Sequence, residues 1–204
     1  MTSAMRPGSA IVVLLVCLVG GACQLKRPET TPGRMIEPQL LAPQAPEGAG
    51  PDTSGAPAAS IRLLDTQARG HIGRRVLHQH PDGELIEDAV WRWSSAPDRY
   101  LDTALRLELM SSPLLRLVDV ASAPTLATTL LVWHLETEGG TRLVGAVEFQ
   151  LTRTDHVVQT AVVHASEAVS ADLPGDLAAA AGRLFRRLAL EGLTRVASQR
   201  SGAP

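Results

Sequence analysis

The sequence predicts an α+β domain, a largely antiparallel sheet with two helices packed on one face, in the order β-β-β-α-β-β-β-β-α. Three observations carry this expectation. Between Glu84 and Met110 the spacing of apolar residues changes from every second position to every third or fourth. From Thr129 to Ala168 three runs alternate or nearly alternate, separated by Gly or Asp turns. Asp176 to Ala197 then carries one long apolar stripe at helical spacing.

The first segment, residues 1–22, reads as a secretory signal outside the fold. Arg6 supplies its positive end, Ile11 to Val19 its short apolar core, and Gly20, Gly21 and Ala22 the small residues before Cys23. The other cysteine, Cys17, lies inside the signal, so the mature chain starts with a lone thiol and no disulfide partner. The arrangement is similar to a bacterial lipobox, with Gly20 where that motif favours Leu. It makes Cys23 the expected lipidation site, palmitate included. Gln24 in place of Asp points by the usual sorting rule to the outer membrane, with the folded part facing the periplasm.

Residues 23–59 read as a flexible tether. Positions 24–59 hold seven prolines and four glycines with no sustained apolar period, which argues against a core there. A coil of that length would average about 33 Å end to end and reach about 110 Å when extended. Residues 60–198 are then the folded module, enough for one core, and 199–204 a disordered tail. Without Arg6 the chain has 18 basic against 21 acidic side chains. That balance gives no case for nucleic acid, and no basic patch stands out along the sequence.

Within the module, Ile61–Ala68 predicts a first strand and Arg75–Gln79 a second. His80-Pro81-Asp82-Gly83 is a turn into a third strand, Leu85–Trp93, with Leu85, Ala89, Trp91 and Trp93 inward. Pro97 and Asp98, the latter as N-cap, open a helix that ends near Met110 before Ser111-Ser112-Pro113. Leu114–Val120 is a short strand. The meander follows: Thr129–Glu136 with Leu131, Trp133 and Leu135 inward, then Arg142–Thr152 with Leu143, Val147, Phe149 and Leu151 inward, then Val157–Ala168. In the last helix Leu177, Ala181, Leu184, Phe185, Leu188 and Val196 form the buried stripe.

Signatures of chemistry are sparse. The sequence holds no G-x-S-x-G, P-loop, H-E-x-x-H or C-x-x-C pattern. His78 and His80 share a strand face with His71 nearby, yet no acid or cysteine stands at a ligand spacing, so a surface hairpin is expected and no metal or other cofactor. His134 and His164 fall on the polar faces of strands and are expected to be solvated. Glu108 is the misfit. On a helical projection it falls inside the apolar arc of Leu101, Ala104, Leu105 and Leu109, where an unpaired carboxylate is costly. Either the helix end splays toward water, or Glu108 meets an arginine at a subunit or partner contact. Trp91 and Trp93 pose a similar choice, core residues on the sheet face or a ligand platform, with Trp91 an interface candidate alongside Glu108.

Arg92-Trp93, followed within four residues by Pro97 and an amphipathic helix, resembles the ABC-type transport auxiliary lipoprotein family, the PqiC-like partners of MCE-domain lipid transporters. The resemblance spans roughly Ile61 to Val196 and makes Arg92, Trp93 and Pro97 its motif residues. The family motif has one residue fewer between Trp and Pro. The resemblance implies a non-enzymatic, outer-membrane lipoprotein that docks the periplasmic end of an MCE bridge, forms homo-oligomers, and works with a separate permease and ATPase in moving phospholipid or another hydrophobic cargo. Two other functions suit the same residues: a protein-binding accessory in cell-envelope assembly or secretion, and a periplasmic hydrolase using Asp, Glu or His on loops. No spacing supports the hydrolase.

Overall fold

A computed structural model describes residues 33–40, 58–153, 156–170 and 174–200, with side chains of the last helix described to Ser198. Cys23, the signal and residues 201–204 lie outside these residues, whereas Gln199 and Arg200, expected in a disordered tail, end the last helix. In chain order the strands are β1 (Arg34–Ile36), β2 (Ala59–Leu63), β3 (Gln67–Ala68), β4 (Arg75–Gln79) and β5 (Leu85–Trp93). Helix α1 (Pro97–Ser111) follows, then β6 (Leu115–Leu117), β7 (Thr125–Glu136), β8 (Arg142–Arg153), β9 (His156–Ala168) and helix α2 (Pro174–Arg200). This is the α+β arrangement of two helices and one open sheet that the sequence predicts.

The sheet is organised by β7. One long edge pairs antiparallel with β8 from Thr125↔Thr152 to Glu136↔Arg142, and β8 pairs antiparallel with β9. The other edge is shared by three short segments, all parallel to β7: β2 at Thr125, β3 at Thr129 and β4 at Leu135. β4 continues outward through antiparallel β5 to β1, and β6 flanks β2. The meander and the β4–β5 hairpin are thus antiparallel as expected, and the parallel joins are an addition. Hydrophobic alternation sets which face a residue takes but carries no information on strand direction.

Both helices cover one face. α2 rests on β8 and β9, α1 on β3, β6 and β7, and the two helices touch each other. Leu143, Val147, Phe149 and Leu151 of β8 all point inward, as predicted, against Leu177, Ala181, Leu184, Phe185, Leu188 and Val196 of α2. Two glycines allow α2 to lie this close. A Cβ at Gly192 would stand 2.1 Å from the Phe149 ring, and one at Gly182 would stand 2.0 Å from the Gln39 carbonyl oxygen. An aromatic column runs through the core: Trp93 against Trp133 (centroids 5.8 Å), Trp133 stacked on Phe185 (4.1 Å), and Phe185 against Tyr100 (6.0 Å).

Several expectations need correction. The predicted strand Ile61–Ala68 breaks after Leu63, because Thr66 turns inward and its hydroxyl meets that of Thr128 at 2.8 Å. Leu131 is half-exposed instead of inward. A bulge between Leu130 and Val132 shifts the phase, so Leu126, Thr128 and Leu130 face the core before it and Trp133 and Leu135 after it. Asp98 is not the N-cap. Ala96 takes that place without a side-chain bond, Pro97 is the first helical residue, and Asp98 lies in the first turn, where its charge favours the helix dipole. The strand predicted over Leu114–Val120 contracts to β6. His134 is 9% exposed, not solvated, whereas His164 is exposed.

The largest correction concerns the tether. Residues 33–40, read as part of a free linker, belong to the fold. Ile36 is 2% exposed and joins the core, its carbonyl accepts the Ser94 N–H at 2.9 Å, and Gln39 N–H donates to Ala178 O at 3.1 Å. Glu37 is gripped by the hydroxyls of Ser94 and Tyr100, the latter at 2.8 Å. Three apolar-compatible residues pairing with a strand 57 positions away leave no local period to find.

Candidate functional site

The site begins with a defect in β5. Arg75 lies opposite Arg92, and the next pair is Leu77 opposite Glu87, so two steps along β4 match five along β5. The surplus residues bulge, and Asp88 holds the bulge. Its Oδ1 accepts the N–H groups of Val90 (2.7 Å) and Trp91 (2.8 Å), which replace ladder bonds, while Oδ2 accepts from His78 Nε2 at 2.9 Å. Burial works to raise the Asp88 pKa, but the two backbone donors and His78 outweigh it and hold the carboxyl below its ordinary value.

This geometry opens a cleft of about 360 Å³ between the bulge, the end of β1, the β7–β8 turn and the start of α2. Ile36, Val76, Leu135, Val169 and Leu177 make its apolar walls, Trp91 presents a half-exposed ring, and the His78–Asp88 pair lines its polar side. The Arg34 guanidinium sits 5.5 Å from the centroid of the Trp91 ring. A cleft with apolar walls and a few fixed polar groups suits binding of an apolar side chain or ligand. Both Asp88 oxygens are already engaged, which fits the carboxylate to shaping the cleft.

The predicted residues separate here. Trp91 lines the cleft. Trp93, two positions on, is 1% exposed in the aromatic column, and Pro97 is buried at the head of α1. Arg92 points to the opposite face, beside Gly33. Trp93 and Pro97 support the fold, Arg92 lies on the other face, and the three motif residues do not meet at a site. Glu108 is buried at 7% exposure and its Oε1 accepts from Arg186 Nε at 3.0 Å. The expected arginine is therefore supplied by α2 of the same chain, and the helix end does not splay. That corrects the expectation of a partner contact at Glu108. His78 belongs to the cleft, His80 approaches Asp82 at 3.6 Å, and His71 is exposed. Among the described residues no three His, Cys, Asp or Glu side chains are placed to hold a metal. No helix among them is long and apolar enough to cross a membrane.

Sequence reasoning missed Asp88. The signal was present, since Asp is depleted in strands and its carboxylate readily captures nearby backbone N–H groups.

No family model and no curated protein matches this sequence. Solved structures do match in fold. A Xanthomonas campestris protein assigned to the family DUF330 superposes with a TM-score of 0.66 at 14% identity, over 82% of this chain and 98% of that one. A hypothetical protein from Chlamydia trachomatis gives 0.53 at 12% identity, over 69% and 96%. At such identities the likeness is one of fold, and it extends over nearly the whole of both neighbours.

Proposed function

We propose that this chain is a non-enzymatic, lipid-anchored binding module of the cell envelope, the outer-membrane partner of an MCE-type ABC transport system. In this role Cys23 carries the anchor, the folded module faces the periplasm and assembles with copies of itself, and the cleft beside Trp91 receives an apolar element of the MCE protein. The permease and ATPase are separate chains, and the cargo is phospholipid or another hydrophobic molecule. The observation that carries the proposal is the cleft, whose walls are apolar and whose one carboxylate is spent on holding the bulge open. The fold shared with the DUF330 protein and the signal ending at Cys23 support it.

The test is photo-crosslinking in native membranes from a residue placed at Trp91. Recovery of an MCE-domain protein is the expected result, and its loss in an Asp88→Ala variant that still folds would tie the contact to the bulge. Repeated recovery of secretion or outer-membrane assembly proteins, with no MCE protein, would replace this function with that of an envelope-assembly accessory.

A further inference from the structure

Arg75 and Arg92 stand directly opposite each other across the β4–β5 ladder, an arrangement in which like charges repel. Arg92 is also level with Met35 of β1. Met35, Arg92 and Arg75 therefore line up on the sheet face turned away from the helices. Arg74 adds a third guanidinium, its Nη2 4.0 Å from Met35 Sδ and 2.5 Å from Ser94 O. Arg34, on the neighbouring position of β1, takes the other face, where it sits over Trp91, and is not part of this cluster. Met35 itself is 57% exposed. Two carboxylates border this cluster: Glu87, 2.9 Å from Arg75, and Glu37, held by Ser94 and Tyr100. Alongside lies a hollow of about 360 Å³ lined by His71, Arg74 and Arg75, with Leu77 and Leu85 as its apolar part. The three arginines come from positions 74, 75 and 92, so the fold gathers a basic patch that the acidic chain does not display in sequence.

We propose that this face docks on an anionic lipid bilayer, with Met35 entering the headgroup region and the arginines meeting lipid phosphates. Two observations favour a bilayer over a soluble anion. The patch spans β1, β5 and β4 on one sheet face, with the exposed apolar side chain of Met35 on its outer strand. It also lies next to the anchor in the chain, since β1 begins at Arg34, eleven positions after Cys23, a contour of about 40 Å at most. This second argument rests on the lipidation of Cys23 that the proposed function includes.

The experiment uses the mature chain, residues 23–204, with Cys23→Ser so that no acyl chain contributes. Flotation compares vesicles of phosphatidylglycerol in phosphatidylcholine with vesicles of phosphatidylcholine alone. Binding to the anionic vesicles only, weakening as salt rises, is expected. Arg92→Gln weakens it about fivefold, and Glu87→Gln, which frees Arg75, tightens it. Thermal unfolding of E87Q unchanged from wild type excludes misfolding as the source of that gain. Arg183→Gln, on α2 at the far side, leaves binding unchanged. Equal binding to both vesicles, or indifference to both R92Q and E87Q, overturns the proposal. So does displacement from vesicles by inorganic phosphate at constant ionic strength, which would make the patch a site for a free anion. Intact mass of the wild-type protein separates the two claims. A free Cys23 with vesicle binding preserved overturns the anchor alone, and an acylated Cys23 without vesicle discrimination overturns the patch alone.

Discussion

Replacing Gly182 by Ala gives a change of opposite sign according to whether residues 33–40 belong to the fold. In an unconstrained helix interior Ala is favoured over Gly by about 1 kcal/mol. Here the new methyl would stand 2.0 Å from the Gln39 carbonyl oxygen and 2.6 Å from its carbon, and backbone cannot rotate away as a side chain can. The segment must lift. Lifting it exposes Ile36, which costs about 2 kcal/mol, and releases the Glu37 bonds to Tyr100 and Ser94, about 1 kcal/mol more at this partly exposed site. Against the helix gain, the net loss is about 2 kcal/mol, a fall in Tm of roughly 4–8 °C for a domain of this size. Thermal unfolding with hydrogen exchange at the Gln39 amide, which bonds to Ala178 O, reads both effects. Gly175→Ala, where a Cβ meets nothing within 4 Å, controls for substitution near the helix start. Stabilisation of G182A, with unchanged protection at Gln39, would refute the docking of this segment.

The Glu108–Arg186 pair gives a second expectation. Arg186→Met strands a carboxylate that is 8% exposed, and since the arginine itself is 40% exposed the cost is moderated to about 2 kcal/mol. Pairing it with Glu108→Met returns stability to within about 1 kcal/mol of wild type in denaturant unfolding; additive losses would contradict the pair. Asp88 predicts an acid limit. Its folded pKa lies below the ordinary 3.8, so its contribution is present above that pH and is lost as pH falls through the folded value. Asp88→Asn therefore has lower stability at neutral pH and a shallower decline below about pH 4; parallel curves would refute it. Tyr100 predicts the alkaline counterpart. Burial raises its pKa above 10.0, Ser94 opposes this, and Glu37 reinforces it. Its contribution is full below pH 10 and fades as pH rises through the folded value, so Tyr100→Phe removes a loss of stability above pH 10 that wild type shows.

Legibility followed the continuity of each pattern. β8 and α2 keep one period from end to end, and their buried faces are those read from the sequence. β7 contains a bulge at Leu131, after which the inward set changes phase, so Leu131 is half-exposed; β5 is bulged at Asp88, and its first three residues, Leu85 to Glu87, are all exposed, so Leu85 and Ala89 do not take the inward places that alternation gives them. β1 is three residues inside a Pro- and Gly-rich stretch, and only its distant partner β5 makes it a strand. The site was visible in pieces. Trp91 and His78 each drew attention alone, but what joins them is Asp88, whose role appears once its oxygens meet two backbone N–H groups and an imidazole. Glu108 was correctly singled out as needing a partner, and the partner proved to be 78 residues away in the same chain. The arginine patch depends wholly on strand register.

The anchor proposed at Cys23 underlies both the proposed function and the placing of the basic face, and native mass spectrometry of the protein extracted from its own membranes tests it most directly. A mature chain beginning at Cys23 with acyl mass on that residue, in complexes of more than one copy, is the predicted result. A monomer cleaved elsewhere, with the Cys23 thiol free or removed, would contradict the account.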